Sequence, residues 1–488
     1  MHARTIPRIA SEYPFYKVLK YFLAPLSAVS VGVGPVMHWP TVNLGMTILP
    51  MTLLSRRLFL ATPLATLFAQ AGAASPNATY FAHSRILHQC WGAPAPVILI
   101  AMRMIAALLL AVGCAAAAPQ YSGELIFPLE KWHNHSSSIV ELPNGDLLVC
   151  WFHGSGERTA DDVLIQAARW NRATGKWTAP FTLADTPGFP ETNPVLFLDS
   201  KQRLFFLWPL IVAHKWETAL MKYRISTDYQ QASGPPKWEH QDNIVLMPKD
   251  IVALTKDFAA AAAAETGPRA ERAKRLIEKA EDEYFSRMGW FTRTHPLELP
   301  SGRILVPMYS DGYSYGIMAI SDDRGYTWSA SQPIVGEGCI QPSVVRKKDG
   351  TLVAYLRDNG PPPKRAHISF SKDDGVTWTR ARDTEIPNPG TSLENVRLRN
   401  GNWIMVYNDL EQGRYSLVAA MSDDEGATWK WKRHLDGRPS TQVASQYHYP
   451  SVIEARDGAI HVTYSYFTPD GKAIKHVRFD ESWVKAGD

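Results

Sequence analysis

The chain has 488 residues, a formal net charge of +4, 45% hydrophobic and 20% charged residues. This balance supports a buried core and contains no basic block of the kind a nucleic-acid partner needs. Its 16 tryptophans, 19 tyrosines and 18 phenylalanines suit an all-β core, or a surface that stacks on sugar rings. The four cysteines, Cys90, Cys114, Cys150 and Cys339, show no metal-ligand spacing. Cys150 and Cys339 lie in apolar or turn-like contexts and read as buried free thiols.

Residues 1–118 read as addresses rather than as a folded unit. Residues 51–76 pair a Ser-Arg-Arg-x-Phe-Leu start with an apolar run, as in a twin-arginine signal. Residues 102–119 carry a short basic start, an apolar stretch and a small-residue tail, as in a secretory signal peptide. One address suffices, so translation is expected to start at Met102 or Met104, with the body of the protein secreted or periplasmic. A lipid anchor through Cys114 is the alternative.

From residue 120 onward the sequence repeats. SDDRGYTW at 321–328, SKDDGVTW at 371–378 and SDDEGATW at 422–429 share the pattern Ser-x-Asp-x-Gly-x-Thr-Trp. Gly325, Gly375 and Gly426 supply a positive φ. Asp323, Asp373 and Asp424 accept backbone N–H bonds within the turn. Trp328, Trp378 and Trp429 pack beneath it. Before each copy stands an apolar strand, a turn and a second apolar strand, as at 342–357 and 394–408, and the same unit recurs at 138–152, 193–208, 295–309 and 450–466. Worn turns lie near Ser226, Asp228 and Trp238, and near Trp177. Six units of about 50 residues, each with room for four strands, predict an all-β, six-bladed β-propeller over 120–488. The alanine-rich, charged stretch at about 250–288 breaks the pattern and predicts a helical insertion between blades two and three, decorating the rim or, as the alternative, bordering the site.

These Asp boxes and this blade pattern resemble the sialidase (neuraminidase) superfamily of BNR-repeat proteins, over residues 125–485. The resemblance implies a pocket on the face opposite the Asp boxes. That face collects His135, Asn193, Arg293, Gln341 and Tyr449 from strand starts, Arg357 and Asp358 from a strand end, and Arg414, with His295 a further candidate. Members of the superfamily hold a substrate carboxylate with three arginines, attack with a tyrosine backed by a glutamate, and use an aspartate as acid/base. By position, Arg357 and Arg414 are similar to the second and third arginines and Tyr449 to the nucleophile. His135 stands in place of the first arginine and Gln341 in place of the glutamate. Glu157, Asp161 and Asp162 are the nearest carboxylates for the acid.

Arginine forks favour a carboxylate-bearing ligand. The expected function is therefore exo-acting hydrolysis of a terminal acidic sugar such as a sialic acid. Tyr449, Glu157, Asp162 and His135 would be catalytic, and Arg357, Arg414, Gln341, Arg293 and Asp358 would bind substrate. Two alternatives stand beside it: elimination on a uronate-containing glycan, with His135 or Tyr449 as base, and sugar binding without catalysis. His133 and His135 lie on one side of a strand without a third ligand, so no metal is expected. No cofactor and no obligate protein partner are implied.

Overall fold

Short alternating runs closed by two-residue turns form antiparallel hairpins, and a hairpin buries its apolar face only against a neighbour. In the computed structural model, which describes residues 120–488 apart from Gln442, six such units form six antiparallel sheets. The export signals, Cys90 and Cys114 lie outside the described residues.

Blade one comprises His133–Glu141, Leu147–Gly154 and Leu164–Asn171, with Lys176–Trp177 and Phe181–Ala184 on its outer edge. Blade two is Val195–Leu198, Leu204–Ile211, Ala219–Ser226 and His240–Ile244; blade four is Cys339–Arg346, Leu352–Asp358, Arg365–Ser371 and Arg382–Pro387. Blade three has a split first strand, Phe291–Thr292 and Leu297–Glu298, followed by Ile304–Ser310, Tyr315–Ser321 and Ser329–Ala330. Blade five runs through Glu394–Arg397, Trp403–Tyr407, Leu417–Ser422 and Trp431–Asp436.

Blade six closes the ring. Its strands Gln446–Glu454, Ile460–Thr468 and Gly471–Phe479 take their outer neighbour, Tyr121–Leu125, from the start of the described chain, with Tyr121 opposite Phe479. Closure covers the edge of Gly471–Phe479 with a strand from the other end of the described chain.

Serine side chains link the first strands of neighbouring blades. Ile139 N donates to Ser451 Oγ at 3.2 Å, Leu196 N to Ser138 Oγ at 3.0 Å and Asn395 N to Ser343 Oγ at 3.0 Å. These backbone donors lack ladder partners and would be costly if left unpaired.

The Asp boxes behave as their composition dictates. Ser321 Oγ accepts from Gly325 N at 2.6 Å, and Asp323 accepts from Thr327 N at 2.9 Å and Thr327 Oγ1 at 2.6 Å. Asp424 repeats the pattern with Thr428. Gly325 has φ +92°, and a Cβ there would lie 2.4 Å from the Phe205 ring of blade two. The turn thus needs glycine for conformation and for close approach. Trp328 meets Tyr223 edge-on at 5.7 Å, and Trp429 meets Tyr355 at 6.0 Å, each one blade back. Cys150 and Cys339 are buried free thiols.

The insertion lies between blades two and three and is helical: α1 (Ile251–Ala263), α2 (Pro268–Glu281) and α3 (Glu283–Arg287). Pro268 sits in the first turn of α2, and Asp282 caps α3 through Tyr284 N at 2.8 Å. Ala259, Ala270, Ala273 and Ala280 are the small buried residues that let these helices pack closely.

Candidate active site

Counted back nine residues from each hairpin turn, Ser136, Asn193, Arg293, Gln341, Ser392 and Tyr449 are the same position in six blades. Four of them are left-handed: Ser136 (φ 59°), Asn193 (φ 40°), Gln341 (φ 52°) and Tyr449 (φ 59°). The ladder shifts register at three of these positions, between His135 and Ser138, Ile340 and Ser343, and His448 and Ser451. Each shift is a β-bulge that re-aims a side chain. A positive φ at a tyrosine costs on the order of 1–3 kcal/mol and persists only where the surroundings impose it.

The bulges converge on a cavity of about 390 Å³, lined by His135, Phe152, Glu157, Asn193, Trp216, Tyr309, Asp311, Arg357, Asn359, Arg414 and Tyr449. Phe152, Tyr309 and Arg357 lie seven residues after their turn glycines Gly145, Gly302 and Gly350, at the matching end of each second strand. Tyr449 is the hub of the network. Its hydroxyl accepts from Arg357 Nη1 at 2.8 Å and from Gln341 Nε2 at 3.2 Å. Gln341 also donates to Tyr309 Oη at 2.9 Å, and Asn193 Nδ2 donates there at 3.2 Å. The Arg293 and Arg414 guanidiniums stand 5.0 Å and 5.8 Å from the Tyr449 ring centre, within range for attraction to its π face.

The pocket sorts its titratable groups. Burial pushes the Asp311 carboxyl above the usual range, opposed by Arg357 and assisted by Glu217. Among the described residues its side chain has no hydrogen-bond partner. Burial also acts on Glu157, but the His133 hydrogen bond, at 3.1 Å, and the charges of His133, Arg158 and Arg414 outweigh it and hold the carboxyl below its usual range. The cavity therefore offers one carboxyl biased toward its acid form and one kept ionised. Burial, and then His448, His133, Arg414 and Arg293, press the His135 imidazole well below its ordinary value, so the ring is neutral. Its Nδ1 pairs with Ser465 Oγ at 2.7 Å.

Of the residues singled out in the sequence, the structure brings His135, Asn193, Glu157, Arg357, Arg414 and Tyr449 to the cavity wall. Six others stand elsewhere. Arg293 is 1% exposed and spends its guanidinium on Pro450 O at 2.9 Å and Ser137 O at 3.4 Å, so it supports Tyr449 from behind. Gln341 is buried beneath the two phenols as their shared donor. Asp358 alternates away from Arg357 along its strand and accepts from Gly360 N at 2.7 Å and Arg365 N at 2.9 Å, fixing the turn between them. Asp162 closes its own loop on Ser155, and Asp161 pairs with the exposed His214. His295 is engaged with Glu394 at 3.0 Å, away from this cavity.

The sequence reading missed Tyr309, Asp311 and Trp216. Tyr309 was detectable, since it shares its offset from the turn with Arg357. Asp311 and Trp216 lie in loops that no repeat marks. Among the described residues, no group of three or more His, Cys, Asp or Glu is placed to hold a metal ion.

The BNR repeat-like domain family matches residues 145–255 and 268–462, most of the propeller. The chain belongs to this family. Among curated relatives, a sialidase from Paraclostridium sordellii is 30% identical over 148 residues, covering 25% of this chain and 34% of the relative. The match thus spans about a third of that relative's length. Two solved structures share the fold. A protein of unknown function from Dyadobacter fermentans has a TM-score of 0.56 at 17% identity, covering 75% of this chain and all of that one. A sialidase from Streptococcus pneumoniae has a TM-score of 0.55 at 12% identity, covering 74% and 71%. Gln341 donates to Tyr449 at the position where the sequence resemblance leads one to expect a glutamate.

Proposed function

We propose that this protein is an exported glycoside hydrolase that removes a terminal, carboxylate-bearing sugar such as a sialic acid. The observation that carries the reading is the joining of Arg357, Arg414 and Tyr449 at one cavity wall, with Arg357 hydrogen-bonded to the Tyr449 hydroxyl. Two guanidiniums offer planar forks to a carboxylate. A carboxylate held there sets the adjacent anomeric carbon against the Tyr449 oxygen. Cleavage passes through an oxocarbenium-like state. As the glycosidic bond breaks, Asp311, biased toward its acid form, gives its proton to the departing oxygen, and ionised Glu157 steadies the positive charge on the ring; water then adds to the anomeric carbon and returns a proton to Asp311. Gln341 and Arg357 both donate to the phenol oxygen and stabilise negative charge on it. The leader-like segments at 51–76 and 102–119 support export.

A second reading, elimination on a uronate, is favoured by one observation. His135 is an uncharged base in the same wall as the two arginines, with Nδ1 held by Ser465. It would take the proton α to an arginine-neutralised carboxylate. Incubating the purified protein with sialosides, related ketosides and uronate polysaccharides separates the readings. Released saturated acidic sugar supports hydrolysis, an ultraviolet-absorbing unsaturated uronate supports elimination, and saturable binding without product leaves a sugar-binding propeller.

A further inference from the structure

The helical insertion interrupts the repeat and reaches the cavity through one short loop. Asp311 follows the second strand of blade three, in the turn Ser310–Ser314, where Ser314 N donates to Ser310 O at 2.8 Å and Gly312 N to Ser310 Oγ at 3.1 Å. Two side chains tie this turn to the last turn of α2. Tyr313 Oη donates to Lys279 O at 2.6 Å, and Lys279 Nζ donates to Gly312 O at 3.2 Å. Lys279 O also accepts from Asp282 N, the helix cap, at 3.3 Å, so the tyrosine joins the capping contacts of α2. The Tyr313 ring stacks on Trp290 at 5.7 Å, in the segment by which the insertion returns to blade three. On the other side the loop of blade two abuts both pieces. A Cβ on Gly289 would lie 2.8 Å from Glu217 Cα, and one on Gly312 would lie 3.2 Å from Glu217 Cγ. The Asp311 turn is therefore clamped between α2 and blade two, with ties one and two residues further along at Gly312 and Tyr313.

We propose that the insertion is a positioning device for the acid: α2, through Lys279 and Tyr313, holds the Asp311 turn so that the carboxyl faces the cavity. The proposal rests on Asp311 being the proton donor of the reading above. It gives the insertion a role beyond decorating the rim. Loops without ordered contacts sample many positions, and proton transfer requires the donor to stay within hydrogen-bond reach of the leaving oxygen. An insertion that fixes the loop acts on that requirement directly. Neither Lys279 nor Tyr313 lines the cavity, so both act through Asp311.

The test uses leaving groups of different basicity in the full-length protein. A glycoside of an acidic phenol departs without protonation, whereas a sugar or alkyl leaving group needs the acid. Tyr313→Phe removes one tie and keeps the ring on Trp290; Lys279→Met removes the other and keeps the aliphatic stem. Each variant is expected to stay within about twofold of the parent on the acidic aryl glycoside and to lose about tenfold on the alkyl glycoside, the scale of one lost hydrogen bond. The basic limb of the kcat/KM pH profile should also move. Equal losses on both substrates, or no loss on either, overturn the proposal, and either variant alone decides it if the other fails to fold. Asp311→Asn is measured alongside. If it shows no leaving-group dependence, the assignment of Asp311 fails and the strut falls with it; if it does while Lys279→Met and Tyr313→Phe do not, only the strut fails.

Discussion

The Arg357 guanidinium donates to the Tyr449 hydroxyl across 2.8 Å; in the proposed reaction this contact couples the carboxylate-binding side of the cavity to the oxygen that faces the anomeric carbon. Arg357→Lys keeps the charge but loses the fork, so kcat/KM for an acidic glycoside should fall roughly 10- to 100-fold, the worth of a charged hydrogen bond. Arg357→Ala should fall further. Steady-state kinetics on one substrate with the three proteins checks the order.

Gln341 gives one amide hydrogen to each of two phenols, Tyr309 and Tyr449. Gln341→Met fills the same space without donors. Turnover should drop about tenfold with KM little changed, because the amide touches the tyrosines and does not line the cavity. A larger change in KM than in kcat would mean that Gln341 contacts the substrate.

Asp311 is shifted upward by burial, so the acid form persists above the usual carboxyl range. Activity toward a poor leaving group should be present below that raised value and lost as pH rises through it. Asp311→Asn should abolish this basic limb and reduce kcat by roughly 10²- to 10⁴-fold. A pH–rate profile with the limb unchanged in the variant contradicts the assignment.

The closing blade carries its own pH signature. His461 Nδ1 and His476 Nε2 face each other at 2.9 Å in buried positions, and His476 lies across from Glu124 of the closing strand. Burial, then His476 and Arg478, lowers His461 to about 3. A histidine depressed in the folded state leaves the unfolded chain binding the extra proton. Stability is therefore full above about pH 6.5, the unfolded value, and declines as pH falls toward 3. His461→Phe should flatten that part of the curve, read as melting temperature between pH 7 and 4.

Much of this architecture is legible in the chain. Asp323, Gly325 and Trp328 announce a turn whose chemistry admits few alternatives, and three copies at constant spacing set the blade period. The run of alanines at 259–264 breaks that period and marks the insertion. The site was half legible. Arg357, Arg414 and Tyr449 fall on the predicted face because repeat position determines which end of a strand a residue occupies. Direction within that face is another matter. A bulge flips side chains relative to simple alternation, so the burial of Gln341 follows from a φ that no motif records, and that of Arg293 from its neighbours Ser137 and Pro450. Asp311 escaped notice because it lies in a loop that no repeat marks, tied to α2 through Gly312 and Tyr313.

The central claim is that Arg357 and Arg414 grip the carboxylate of a sugar whose glycosidic bond is then hydrolysed. The most direct measurement compares kcat/KM for release of saturated sugar from two glycosides of the same leaving group, one bearing the free acid and the other its carboxamide. The account predicts a preference of roughly 100-fold or more for the acid, from two charged hydrogen-bonding groups, collapsing to within a few-fold when both arginines are replaced by alanine. Equal rates on acid and amide in the parent protein would contradict it.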